Sequence, residues 1–245
     1  MKKILIILLA FWSVFVNAQF GLNTIFFNQS YSEPPVSIPT DDLVAWYKLD
    51  GNGNDEQNNW DLTEYGTVSY GTDRHSNSNS CCYLNGSSYL EVLNFNRNSG
   101  TAGTPFSISF WCKSSLTSTQ SCISNRLSSA SSMNFFCALI SGLNYGQSAY
   151  GSSVVTVNSS SSYSTTEWFH YCLISDGTSY INLYLNNSLV DNQPFTGNLN
   201  DALTSPLTIG RTSYNTSNYL TGYMDDIRIY NRILTTDEIT LLYNE

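Results

Sequence analysis

The stretch "GYMDDIRIYNR" at 222–232 places two adjacent carboxylates, Asp225 and Asp226, at the head of a strand-like segment. Successive strand residues point to opposite faces. Parity therefore puts Asp225 on the face of Ile227 and Ile229, and Asp226 on the face of Arg228 and Tyr230. A glycosidase needs two carboxylates set across one bond, and a pair that points apart cannot supply them. Imidazole chemistry has only His75 and His170 to draw on. The H-E-x-x-H, G-x-S-x-G and P-loop spacings do not occur. These residues predict no catalytic centre, and a polysaccharide-degrading enzyme stays a minor alternative. An aspartate at the edge of an apolar face still needs a partner, because an uncompensated buried carboxylate costs several kcal/mol or takes up a proton.

A second acidic stretch, "LDGNGNDEQNNWD" at 49–61, suggests one such partner. Asp50, Asn52, Asn54 and Asp61 follow the alternate spacing of a calcium loop. Asp55 stands where that loop needs glycine, and a strand rather than a helix precedes it, so an EF-hand is not expected. What survives is a loop dense in hard oxygen donors, suited to Ca²⁺. The alternative is an Asn/Asp-rich turn that hydrogen-bonds its own backbone.

These residues must be held by β structure. "LVAWYKL" (43–49), "YLEVL" (89–93), "FSISFWCKS" (106–114), "FHYCLIS" (169–175), "YINLYLNN" (180–187), "LTIG" (207–210) and "YMDDIRIY" (223–230) alternate or run apolar between Gly, Asn and Ser turns. Such spacing predicts a β-sandwich or jelly roll. "SDGTS" at 175–179 and "NNS" at 186–188 read as hairpin turns, and the Ser-rich stretch 152–165 as a polar strand pair with its loop. One helix is expected, last in the chain. In "LTTDEITLLYNE" Thr235 and Glu238 form a capping box, and Ile239, Leu242 and Tyr243 share a face that would plug the end of the sandwich.

The N-terminus, "MKKILIILLAFWSVFVNAQ", has the lysines, apolar run and small residues of a cleaved signal peptide over 1–18. Residues 19–40, with Pro34, Pro35 and Pro39, read as a leader or linker, and 41–245 as one domain. Loss of Lys2 and Lys3 would leave 8 basic against 19 acidic residues. That balance argues against nucleic acid and against anionic membranes as partners. No membrane insertion of the mature chain is expected, and the protein should be secreted or lie at the cell surface. Six cysteines, Cys81, Cys82, Cys112, Cys122, Cys137 and Cys172, could pair in an exported chain or stay as buried thiols. Cys122 and Cys137 flank a loop and are the first pair to test.

The order of segments resembles the LamG-like branch of the concanavalin A-like lectin/glucanase superfamily. The resemblance rests most on "LTGYMDDIRIYNRILTTDEITLLYNE", and next on Trp168 through "DG" at 176–177 into "LYLNN". It implies a jelly roll of two antiparallel sheets in which the first and last strands are neighbours. It also implies a structural Ca²⁺ between the loop after the first strand and the aspartate of the last. Asp55 and Asp225 match those positions, with Asn58 and Asp226 as further donors. "DEQNNWD" departs from the Ser-Gly-Asn run common among relatives.

Parity also predicts a ligand face. If Phe106, Ile108 and Phe110 point inward, Ser107, Ser109 and Trp111 point out. By the same rule His170, Cys172, Asn182 and Tyr184 point out. Trp111, His170, Asn182 and Tyr184 would then share one open face fitted to sugar, with rings for C–H faces and amide or imidazole groups for hydroxyls. Rim aromatics Trp60, Tyr145, Tyr150 and Tyr214 are the alternative. The expected function is a secreted, non-catalytic binding module for carbohydrate or a glycosylated surface. The alternative is a structural or adhesive part of an extracellular or virion assembly that binds protein.

Overall fold

The computed structural model describes residues 37–98, 101–127, 133–200 and 205–245. The expected signal peptide and nearly all of the expected leader lie outside the described residues. Among these residues fifteen strands and one helix follow in chain order. They are β1 (Leu43–Tyr47), β2 (Thr63–Tyr65), β3 (Ser69–Gly71), β4 (Cys81–Asn85), β5 (Tyr89–Phe95), β6 (Phe106–Ser114), β7 (Gln120–Arg126) and β8 (Met133–Ile140). Then come β9 (Leu143–Tyr150), β10 (Ser153–Asn158), β11 (Phe169–Ser175), β12 (Tyr180–Leu185), β13 (Ser188–Pro194), β14 (Ser205–Ile209), β15 (Thr221–Tyr230) and α1 (Thr236–Asn244). No helix among the described residues is long and apolar enough to cross a membrane.

The strands form two antiparallel sheets, as expected for an all-β jelly roll. The first runs β13-β12-β11-β6-β15-β4-β3, with β1 paired to the other end of β15. The second runs β10-β9-β8-β7-β14-β5-β2. First and last strands are indeed neighbours, with Tyr47 opposite Ile227 and Ala45 opposite Ile229. Phe106, Ile108, Phe110, Tyr171, Leu173, Ile181 and Leu183 from the first sheet meet Ile123, Phe135, Leu139, Leu207 and Ile209 from the second in one core. The parity assigned to β6, β11 and β12 thus holds. The β12–β13 hairpin turns through Asn186 and Asn187, both with positive φ (47° and 64°), as a two-residue turn of matched twist requires.

In β15 the register shifts by one residue between Asp225 and Arg228. Asp225 lies opposite Trp111 and Arg228 opposite Ser109, so two residues of β15 face the single Phe110. Asp226 takes up the extra length with φ of 52°, a conformation that aspartate tolerates better than most residues. The bulge sits where β15 exchanges one neighbour for another, β4 beside 221–224 and β1 beside 227–230. Before it, Met224 faces the core; after it, Ile227 and Ile229 do. Asp225 is therefore on the outer face with Tyr223, not on the face of Ile227 and Ile229. The expected parity fails because an insertion lies between the two halves.

Helix α1 has the expected capping box, with Thr235 accepting from the Glu238 amide and Glu238 from the Thr235 amide. It does not plug the end of the sandwich. Ile239 and Leu242 pack on the outer face of the first sheet against Cys172, Ile174, Tyr230 and Leu234. All six cysteines are buried free thiols, so the Cys122–Cys137 pair is not formed. The Cys122 thiol is pushed well up by a hydrogen bond with Cys112 and by burial.

Candidate functional site

The bulge gathers charges that sequence separates widely. It turns both Asp225 and Asp226 to the outer face of the first sheet, where Arg74 from the β3–β4 loop meets them. Arg74 Nη1 lies 2.5 Å from Asp225 Oδ2, and Nη2 lies 3.7 Å from Asp226 Oδ2. Asp226 accepts further hydrogen bonds from Trp46 Nε1 (2.7 Å) and Arg228 Nη1 (2.7 Å). The guanidinium of Arg74 lies over the Trp111 ring at 4.9 Å, and that of Arg228 over Trp46 at 4.5 Å. The two carboxylates, expected to point apart, thus share one cationic partner.

Burial dominates the electrostatics. It pushes the Asp225 carboxyl up to about 7; Asp226 adds to the rise and Arg74 opposes it. His170 is held down at about 3 by burial, with Arg74 and Arg228 contributing. It is neutral at physiological pH and no proton donor there. Its Nε2 faces Ser109 Oγ at 2.8 Å.

Trp111 and His170, predicted together, do lie together, with ring centres 5.2 Å apart. The face they occupy is not open. Tyr243 of α1 stacks on Trp111 at 5.6 Å and sits 6.0 Å from His170. His170 is 1% exposed and Trp111 9%. Tyr184 is packed beneath the apolar side of α1, and Asn182 is hydrogen-bonded to Asn192. These two do not join the site, because the helix lies over the face that parity left free. Of the rim aromatics, Trp60 packs on Phe95 and Tyr150 on Phe195. Tyr145 meets Phe136, and Tyr214 meets Arg126, on the outer face of the second sheet.

Two adjoining cavities surround Arg74. One, of about 220 Å³, is lined by Trp46, Lys48, Asp50, Asp73, Asp225 and Asp226 among others. The second, of about 460 Å³, is lined by Trp111, Trp168, Tyr243, Glu167 and Asn244. Arg74, His75 and Glu245 line both. Four shielded nitrogens here have no hydrogen-bond partner: Arg74 Nε, Trp111 Nε1, His170 Nδ1 and Arg228 Nε. Buried polar atoms in native proteins are rarely left so; of these residues Arg74 and Trp111 line the larger cavity, and His170 and Arg228 line neither.

The expected calcium donors do not converge. Asp55 is 2% exposed, and both its oxygens are taken by backbone amides. Oδ1 accepts from Trp46 (2.8 Å) and Gln57 (3.0 Å), and Oδ2 from Asn59 (3.2 Å) and Trp60 (3.1 Å). Asn58 is an exposed turn residue with φ of 57° and its amide on the Glu56 carbonyl. Asp225 is taken by Arg74, and Asp226 by Arg228 and Trp46 with Arg74 at longer range. Among the described residues no three His, Cys, Asp or Glu side chains are grouped to hold a metal. A cation shared by Asp55 and Asp225 does not fit this arrangement.

Sequence reasoning missed Arg74, Trp46, Arg228 and Tyr243 as site residues. One signal pointed to Arg74: it is the lone basic residue between Lys48 and Arg97.

A sandwich of this topology with a last strand and capped helix of this kind defines a class. A laminin G family model described as the concanavalin A-like lectin/glucanases superfamily matches residues 84–240, and the chain belongs to that superfamily. No curated protein matches the chain in sequence. Among solved structures it is similar to domain 4 of AbnA, a GH43 extracellular arabinanase from Geobacillus stearothermophilus, in complex with arabinotriose. The identity is 19%, the TM-score 0.66, and the match covers 82% of this chain and 98% of that one. It is also similar to botulinum neurotoxin type C, whose cell entry depends on interaction with two ganglioside molecules (18%, TM-score 0.61, 83% of this chain and 51% of that one). The binding domain of Paraclostridial mosquitocidal protein 1 matches at 18% identity and a TM-score of 0.65, over 83% of this chain and 52% of that one. The chain thus spans about half the length of the toxin chains. At these identities the likeness shows the fold.

Proposed function

We propose that the chain is an exported, non-catalytic module that binds neutral carbohydrate in the groove beside Arg74. The observation that carries this reading is the set of aromatic rings Trp111, Trp168 and Tyr243 along one groove that also holds unpartnered buried N–H groups. Rings take the C–H faces of a sugar, and the nitrogens and carboxylates take its hydroxyls. Neutral sugar is favoured because Asp50, Asp73, Asp225, Asp226 and Glu245 outnumber Lys48 and Arg74 around the smaller cavity. Solved relatives in fold that bind arabinotriose or gangliosides support carbohydrate over a protein partner. A glycan array followed by calorimetry tests the reading. Neutral oligosaccharides should bind, and Trp168→Ala should weaken them at least tenfold, as loss of a stacking platform worth more than about 1.4 kcal/mol would. Binding only to a protein partner, unaffected by Trp168→Ala, would sink it.

One observation favours a second reading. Asp225, held near 7 beside a second carboxylate in a cavity, has the charge state of a glycosidase acid. Both carboxylates are engaged by Arg74, however, which leaves neither free to act as nucleophile or base. Shortening of a neutral polysaccharide that Asp225→Asn abolishes would favour hydrolysis over binding. Export is checked by mass spectrometry of the native protein, where peptides from 1–18 should not be found.

A further inference from the structure

A third cavity, of about 250 Å³, opens where β9 and β11 begin and β12 ends, under the loop after β10. Its lining is neutral and mixed. Tyr163, Trp168, Phe169 and Leu185 supply apolar surface, Ser162 and Asn186 supply polar groups, and the one charged side chain is Glu167. Asn144 also lines it. That residue is 2% exposed, and its side-chain carbonyl has no hydrogen-bond partner. The backbone of Asn144 is clamped to Ser159 in both directions, its N–H to Ser159 Oγ (3.0 Å) and its carbonyl to the Ser159 N–H (2.9 Å). The unmet acceptor is therefore held in place, and a buried carbonyl in that state is a demand for a donor.

Trp168 and Glu167 line both this cavity and the 460 Å³ groove at Arg74. The smaller space falls below the roughly 300 Å³ at which ligand pockets begin, so it serves as an extension of the groove and not as a site of its own. We infer that the Asn144 cavity is a second subsite and that the ligand is an extended neutral oligosaccharide running past Trp168. One unit lies in the Arg74 groove, and the next places a hydroxyl on Asn144 Oδ1. This rests on the carbohydrate reading of the groove and adds chain length and direction to it. The chemistry differs between the two ends. The Arg74 end offers charged donors and carboxylates, whereas the Asn144 end offers hydroxyls, an amide and rings.

The test uses the full chain and neutral arabino-, xylo- and cello-oligosaccharides from one to six units, measured by calorimetry. In the series that binds, affinity should climb with length and then level off. Ser162→Trp fills the mouth of the cavity from an exposed position and should leave folding intact. It should weaken the longest oligosaccharide about tenfold, the scale of one lost hydrogen-bonded unit, and leave the shortest binder unchanged. Asn144→Leu should act in the same way, and Trp168→Ala should weaken short and long ligands alike. If short and long ligands bind equally well to the wild type, or if Ser162→Trp changes neither, the second subsite is wrong while the groove reading stands. If no oligosaccharide binds at millimolar concentration, the groove reading falls with it.

Discussion

Asp55 and Asp225 are both buried, and the sequence pattern assigns both to the same cation. Their environments differ in kind. Asp55 closes the loop after β1 by accepting four backbone amides. Asp225 has no backbone donor to rely on and rests on the guanidinium of Arg74, beside a second carboxylate and two cavities. A carboxylate saturated by its own loop is a structural element with no capacity left over. A carboxylate held by a single side chain, at the edge of a groove, can exchange that partner for a ligand. The contrast teaches that burial alone does not mark a site; the identity of the donors does.

The largest effect should come from the structural member. Asp55→Asn places an NH₂ group against two of the amide donors and leaves them without acceptors. Loss of charge-assisted hydrogen bonds on this scale costs about 3 kcal/mol. For a domain of this size the melting temperature should fall by roughly 6–12 °C. Asp225→Asn should cost less than half as much at neutral pH, because burial raises the group to about 7 and roughly half of it is already protonated there. Thermal denaturation of the two variants side by side decides the matter, and equal losses would erase the distinction drawn between them.

A smaller effect concerns pH. Asp225 is raised from its ordinary 3.8 to about 7. Between these values the folded protein keeps a proton that the unfolded chain has released, so this group stabilises the fold at acid pH and ceases to above 7. His170 is lowered from 6.5 to about 3. Between those values the unfolded chain takes up a proton that the folded protein refuses, so His170 costs stability as pH falls. The two slopes oppose each other from about pH 4 to 6.5. On acidification from pH 7 to 4.5, Asp225→Asn should lose more stability than the wild type, and His170→Gln should lose less. Separations on the order of 1–2 kcal/mol are expected from shifts of more than one unit. Denaturant melts at the two pH values provide the measurement, and parallel curves for all three proteins would remove the electrostatic account of the groove.

The comparison also shows what a sequence does and does not disclose. The final strand, the capping box at Thr235 and the parity of β6, β11 and β12 were legible because each is a local pattern with a fixed period. The bulge was not. Nothing in "MDDIR" marks which residue takes the positive φ, and one inserted residue reverses every face assignment upstream of it. Strands β7 to β9 were passed over for a different reason. Gln120, Ser124 and Asn125 read as loop residues, yet all three are buried and hydrogen-bonded, Gln120 to the Thr221 amide and Asn125 to Ser205. The groove itself depends on Arg74 reaching Asp225 across 151 residues, a contact that only the assembled sheet creates. Asn144 escaped notice because its unmet carbonyl is a property of packing, not of residue type.

Calcium should produce the smallest effect in the wild-type protein and the most informative one in a variant. The positions expected to share the ion are separately occupied, Asp55 by amides and Asp225 by Arg74. The guanidinium stands where a cation would compensate Asp225 and Asp226, so millimolar Ca²⁺ must displace a tethered charge to enter. Wild-type melting temperature should therefore move by no more than about 1 °C between chelator and Ca²⁺, against the roughly 5–10 °C that a hundredfold excess over Kd would give for a native-state ion. Arg74→Met keeps an apolar side chain of similar reach and removes the guanidinium that lies over Trp111. It leaves Asp225 without its cation, beside Asp226, which keeps Arg228, at the mouth of a cavity that Asp50 and Asp73 also line. That variant should melt well below the wild type and recover in part with Ca²⁺, more than with Mg²⁺, because the larger ion accepts irregular oxygen ligands. A rise of several degrees with Ca²⁺ in the wild type, lost in Asp225→Asn, would show instead that the ion displaces Arg74 from the aspartates and that Asp225 is a metal ligand after all.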